Sequence, residues 1–450
     1  MLMLKLILGT GALAAVLIAG PVYAQTFGET LELTYRSNPT LQAERAGVRA
    51  VEESIIQARS GWLPNISASA SISNTHTESS GGFFNQSNTV TPQSYRIDAS
   101  QAIWRGGEIN GQINQAEANV LASREQLRTT EQSILLQAAT AYLDVRRDVE
   151  IAEIRRNNVE VLLAQQDAAE DRFEVGEITR TDVSQAEARL SGARAQFAAA
   201  LSQLAASRAR YAAVVGQYPA TLAAEPPLPQ MPVTLEDALE IALDFSPILR
   251  AAAFSEDSAR AAIQTARGAY SPDVSLSASA SRGLDQSISG DQTDRVSVAA
   301  QVSVPIFTGG LNRSRVRQAV FNSDQARLRV TAARRQVTEV VTTAYNNLVA
   351  SRSVIASSQQ SVEANEIALE GVQQEAYVGL RTTLDVLNAE QELLDARLTL
   401  VTAERDSYVA GLSLLQAMGL LTADTLEIDG EPEPYVTEPS RGNVDLTPWN

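Results

Sequence analysis

The sequence predicts a mixed α and β membrane protein, in which long helices run into a transmembrane sheet that one chain is too small to close. Three observations predict it. The chain repeats itself: residues 28–73 align with 236–281 and residues 103–216 with 306–419, without a gap inside either block. Each copy carries two runs in which small apolar residues alternate with serine, the period-2 pattern of an amphipathic strand. Each copy then carries about 68 residues of helical pattern, on the order of 100 Å at 1.5 Å per residue, too long for one compact globule.

The elements follow in order. Residues 1–24 read as a secretory signal peptide: Lys5 supplies the charged start, Leu6 to Ala19 the apolar stretch, and Val22-Tyr23-Ala24 the small-residue cleavage site. Repeat 1 covers 25–218. Residues 28–36 and 39–60 are helical, broken at Asn38-Pro39 because proline disfavours helix in the residue before it. Strands follow at about 65–78 and 93–104, joined by a polar loop over 74–93. Gly106-Gly107 closes the second strand and opens a long helix over 107–175. Gly176 marks a turn, Thr179 to Asp182 follows as Thr-x-x-Asp, and a shorter helix returns over 182–217. Residues 219–232 form a proline-rich linker.

Repeat 2, over 233–421, has the same order: strands at about 272–282 and 294–306, Gly309-Gly310, a long helix over 310–377, a turn at Gly379, and a return helix over 385–419. The first copy is five residues longer between its aligned blocks, an excess placed around Gly81–Asn88. Residues 422–450 read as a mobile acidic tail.

Composition narrows the function. Cysteine is absent, which excludes disulfides and acylation on an N-terminal cysteine. Lys5 is the only lysine, and the formal net charge is −17, which argues against nucleic acid as a partner. There is no Cys/His cluster, phosphate-binding loop or nucleophile motif, so neither an enzyme nor a cofactor or metal site is expected. His76, the only histidine, reads as a solvated residue near a strand end.

The strands make the strongest demand. Each is long enough to cross an outer membrane when tilted. Four strands cannot close a barrel, and open edges are not tolerated in lipid. Several chains must therefore share one barrel, eight strands for a dimer or twelve for a trimer, and the strand pattern does not choose between them. The competing reading is a structural or adhesive coiled-coil protein of the periplasm or cell surface. That reading predicts long uninterrupted heptads and no amphipathic strand pairs.

Two motif sets carry a family resemblance. One closes the strand pairs: Ile103-Trp104-Arg105-Gly106-Gly107 and Pro305-Ile306-Phe307-Thr308-Gly309-Gly310. The other forms the helical turns: Arg172 to Gly176 with Asp182-Val183 and Ala186, and Val378 to Ala389. With the duplicated element order, the chain resembles the TolC family of outer-membrane efflux proteins over nearly its whole mature length. The resemblance implies a homotrimer whose strands form one barrel in outer-membrane lipid and whose helices form a tapering tunnel across the periplasm. It implies passive export, for efflux or type I secretion, with a periplasmic adaptor and an inner-membrane transporter as partners. It places Gly176 and Gly379 at the periplasmic tip and Asp385 in an acidic ring at the pore entrance. Asn388 stands where the family has a second acid, so that ring carries half the charge. The resemblance also implies closing links from Asp182 and Arg381; the family's tyrosine position is Ala376, beside Tyr377. Read without the family, Asp182 is the N-cap of the return helix, with Gln185 three residues on, and Arg381 is a surface cation.

Overall fold

The computed structural model describes residues 24–79, 86–286, 290–423, 425 and 426. The expected signal peptide, apart from Ala24, and residues 427–450 of the expected tail lie outside them.

The chain runs α1 (Phe27–Ser37), α2 (Pro39–Ser60), β1 (Asn65–Ile72), β2 (Thr75–Ser79), β3 (Gln86–Val90), β4 (Gln93–Arg105), α3 (Glu108–Glu174) and α4 (Arg180–Val215). It continues α5 (Leu235–Phe245), α6 (Pro247–Gly268), β5 (Asp273–Leu284), β6 (Gln292–Ser303), α7 (Leu311–Tyr377) and α8 (Thr383–Ala417). α1 and α5 have 11 residues each, α2 and α6 have 22, and α3 and α7 have 67.

Local chemistry sets the breaks. The Asn38 side chain accepts from the amides of Thr40 and Leu41 at 3.0 and 3.3 Å, and Pro39 sits at the first helical position, where its missing N–H costs nothing. At the tops of α3 and α7 the chain turns from strand to helix through paired glycines: Gly106 and Gly107 at φ +58° and +83°, Gly309 and Gly310 at +60° and +87°. A side chain would be strained at all four. At Gly106 it would also collide with Ser271, 2.1 Å from that residue's Cβ.

The four-stranded sheet is antiparallel, in the order β1-β4-β5-β6. Register sorts its faces. Ile66, Ala99, Ala278 and Val298 form one cross-strand row, and Ala68, Ile97, Ala280 and Val296 the next. The opposite face carries Ser67, Asp98, Ser279 and Ser297 in one row and Ser69, Arg96, Ser281 and Arg295 in another. The apolar rows are bare, with Val296 81% and Ile66 70% exposed. Strands β1 and β6 are the sheet's two edges.

The first hairpin differs from expectation. The strand expected over 65–78 is interrupted at residues 73–74, and the expected loop over 74–93 holds a second hairpin, β2 with β3, pairing Thr75 with Val90 through Ser79 with Gln86. His76 lies within β2, its Nδ1 2.8 Å from the Thr89 hydroxyl. The predicted length excess falls partly on residues 80–85, outside the described residues. β6 ends at Ser303 rather than 306, leaving Ile306 and Phe307 94% and 89% exposed at the sheet's helix-side rim.

The main core lies midway along the long helices, where α1, α5 and the ends of α4 and α8 pack on α3 and α7 around Tyr142, Tyr211, Leu31 and Leu412. The proline-rich segment between the copies is a strap over this core. The Tyr142 hydroxyl donates to the Ala223 carbonyl at 2.7 Å, and Tyr408 donates to Pro226 at 2.9 Å. Burial pushes the Tyr142 hydroxyl up to about 12. The expected tail begins as part of the same core, with Ala423 buried and Leu426 packed against it.

Candidate functional site at the helical tips

The two long helices end in the same hydrogen-bonded turn. In α3 the Gly176 amide donates to Phe173 and the Glu177 amide to Arg172, each at 2.9 Å. In α7 the Gly379 amide donates to Ala376 at 3.1 Å and the Leu380 amide to Glu375 at 2.9 Å. This is the Schellman ending, which needs a left-handed residue after the cap, and Gly176 and Gly379 supply it at φ +80° and +78°.

The return helices start earlier than the sequence suggests. Thr179 and Thr382 are the N-caps, and Asp182 and Asp385 are the third helical residues rather than the caps. Each carboxylate reaches back, accepting from its threonine's amide at 2.9 Å and hydroxyl at 2.8 Å. In the second tip the Asp385 amide also donates to the Thr382 hydroxyl at 3.3 Å, completing a capping box with Asp in the usual Glu position. These donors hold both carboxyls below the usual carboxylate range, with Arg172 adding to the effect at Asp182 and Arg381 at Asp385.

Charge is inverted between the tips. In the first, Arg172 at the end of α3 pairs with Glu177 beyond the turn at 3.2 Å. In the second, Glu375 occupies the aligned position and pairs with Arg381 beyond the turn at 2.7 Å. Within one chain, therefore, Asp182 and Arg381 are each held by local partners and not by one another. Asn388 accepts from Arg189 of α4 at 2.9 Å, tying the two return helices together. Sequence reasoning missed Glu375, Glu177 and Arg189, which carry no motif and acquire partners only through the turns and the α4–α8 approach. Exposed pairs of this kind contribute about 0.2–1 kcal/mol each. Val175, Leu380 and Tyr377 stand 72%, 76% and 91% exposed around the turns. Just above, Leu162, Leu190, Ala193 and Leu387 form a small core joining α3, α4 and α8.

The arrangement offers two closely similar helical hairpins with weak polar links and an apolar fringe at one end, and an amphipathic sheet with open edges at the other. No helix among the described residues is long and apolar enough to cross a membrane. The sheet carries an exposed apolar face of its own.

Comparison with known proteins agrees with this geometry. A family model described as outer membrane efflux protein matches twice, over residues 30–217 and 238–420. The outer membrane efflux protein BepC of Brucella suis is 36% identical over 421 residues, 92% of this chain and 91% of that protein. The outer membrane protein TolC of Vibrio cholerae is 27% identical over 426 residues, 92% of this chain and 95% of that protein. Among solved structures, the open state of the Neisseria gonorrhoeae MtrE outer membrane channel superposes with a TM-score of 0.74 at 20% identity, covering 88% of this chain and 89% of that one.

Proposed function

We propose that this chain, which belongs to the outer membrane efflux protein family and is an outer-membrane efflux or secretion channel, works as a passive duct built from three copies and gated at the helical tips. The observation that carries the assembly is the contrast between α3 and α7. Helix α3 lies between α2 and α6, touching α2 near Ile109 and α6 near Gly111. Helix α7 packs on α6 near Asn312, whose side chain donates to the Ala269 carbonyl at 2.7 Å, while its opposite face is open. The α2 of a second copy fits that face, as α6 fits α3. The same step brings the free edge of β6 to the free edge of β1. Three copies then close a barrel of twelve strands, the number the family resemblance implies, and bury edges that would cost several kcal/mol per unpaired group in lipid.

The duplication supports this reading, since each half supplies the same helices and strands and each long helix acquires equivalent neighbours. In the closed barrel the apolar rows face lipid and the serine rows face water. The exposed apolar residues at the tips suit docking of a periplasmic adaptor, through which an inner-membrane transporter supplies energy and cargo. Weak exposed links at the tips suit a gate that opens when a partner binds.

Two measurements test the reading. Outer-membrane fractions should hold a species that runs as a trimer unheated and as a monomer after boiling; a soluble monomer would contradict it. In planar bilayers, Asp182→Ala combined with Arg381→Ala should raise conductance by loosening both tips, and unchanged conductance would count against gating there.

A further inference from the structure

A second feature of the tip region is a carboxylate that the ring and the turns do not use. Glu390 of α8 lies eight residues above the second N-cap and is only 9% exposed. It lines a cavity of about 240 Å³ between α3, α7 and α8, together with Asn157, Asn158 and Gln373. One of its oxygens accepts from the Gln165 amide of α3 at 3.5 Å, a long contact. The other is buried without a hydrogen bond of good geometry, with the Gln373 amide in the same cavity wall. The charged groups around it are engaged elsewhere: Arg397 on α8 with Glu366 on α7 at 2.7 Å, and Arg189 on α4 with Asn388 at 2.9 Å. The side chains that α3 adds to the cavity are Ile154, Asn157, Asn158 and Val161, none of which titrates. A buried carboxylate without a cation is costly when ionised and much less so when protonated.

We propose that Glu390 is a positioning residue that sets how tightly the α7–α8 hairpin closes on α3, tight when the carboxyl is neutral and loose when it is ionised. The inference rests on the reading of the tip as a gate. Burial holds this carboxyl above the usual range, against the opposing effect of the Gln165 and Gln373 amides. A group raised in the packed state favours packing below that value and loses it as pH rises through it. Acid therefore closes and alkali loosens, the opposite of Asp182 and Asp385, whose lowered values favour their caps at higher pH. The aligned residue in the first copy, Glu187, is exposed on α4. The positions aligned with Gln165 and Gln373 are Ala368 and Glu170, so the first copy lacks the amides that frame this site.

The absence of cysteine makes a direct test possible. Spin labels on Leu163→Cys of α3 and Thr399→Cys of α8 report the helix separation in the full-length protein in detergent. From pH 5 to 8 the distance distribution of the otherwise unaltered chain should lengthen. The tight-to-loose ratio should change about tenfold per subunit for each unit by which the carboxyl's pKa differs between the states. Glu390→Gln should hold the short distance at every pH, and Glu187→Gln should keep the response. A response that survives in Glu390→Gln, or disappears in Glu187→Gln, would overturn the proposal. Bilayer conductance of the unlabelled variants should follow the same order. A pH-dependent distance without any conductance change would overturn the gate reading and leave the positioning role standing.

Discussion

Helices α3 and α7 are the same length and occupy the same place in their copies, yet they live in different surroundings. Helix α3 buries 21 of its 67 residues, and α7 buries eight. Phe321 on α7 is 68% exposed, whereas the aligned Ala118 on α3 is 8% exposed against its neighbours. Leu328 is 66% exposed, and the aligned Glu125 is buried, paired with Arg128 at 3.1 Å and 3.9 Å from Arg250 of α6. In the proposed trimer this bare face of α7 is the one a neighbouring copy covers. The two copies of one fold unit thus differ in how much of the long helix they cover within a single chain.

Charging the bare face of α7 should have the largest effect. Phe321→Asp with Leu328→Asp should abolish the oligomer, since about 1.5–3 kcal/mol of burial is lost per apolar side chain at each contact. Helix content should stay near that of the unaltered chain, because neither residue packs within one copy. Light scattering and circular dichroism check the two halves of this statement. Ala118→Asp should do the reverse and lower the thermal stability of the chain itself.

A subtler effect is expected at the glycine pairs. Gly106→Ala meets Ser271 and a positive φ, whereas Gly309→Ala meets only the positive φ within one chain, about 1–2 kcal/mol. In a monomeric background Gly106→Ala should therefore lower Tm more than Gly309→Ala. In the assembled protein the two should approach each other, as the neighbour's α2–β1 junction takes the place that α6–β5 holds beside Gly106. A persistent difference would mean that α7 is not covered as α3 is.

The smallest expected effect is at the caps. Because Asp182 and Asp385 have lowered pKa values, their contribution is complete above the ordinary carboxylate range, about pH 4, and is lost as pH falls through the lowered values. Amide hydrogen exchange at the first turns of α4 and α8 should accelerate below that range. Asp182→Asn and Asp385→Asn should blunt the acceleration, each at its own tip.

How much of this was legible in the sequence depended on whether the cause was local. The break at Asn38-Pro39 and the turns at Gly176 and Gly379 follow from backbone chemistry that residue types announce. The alternation of Ile66 through Ile72 announces a strand because one face is apolar throughout. The β2–β3 hairpin was missed because Thr75, His76, Thr77 and Glu78 are polar on both faces, so period 2 leaves no trace and only pairing defines the strand. Asp182 reads as the N-cap of its helix but is the third helical residue, because Thr179 takes the cap three residues earlier. Glu390 could not have been singled out, since it aligns with Glu187 and only the packing of α3 and α7 distinguishes them. Partners such as Glu375 for Arg381 and Arg189 for Asn388 are likewise set by how segments meet.

In the proposed assembly a neighbouring copy supplies to α7 what α6 supplies to α3. On α3, a Cβ built at Gly111 would lie 2.5 Å from the Thr265 hydroxyl of α6. The aligned residues are Ser314 on α7 and Gln57 on α2, both exposed in the single chain. In this cysteine-free protein, Ser314→Cys combined with Gln57→Cys should yield covalent trimers on a non-reducing gel of boiled samples after mild oxidation of outer membranes, while each single variant runs as a monomer on the same gel. A double variant that forms no inter-chain cross-link, or that stops at dimers, would contradict that assembly.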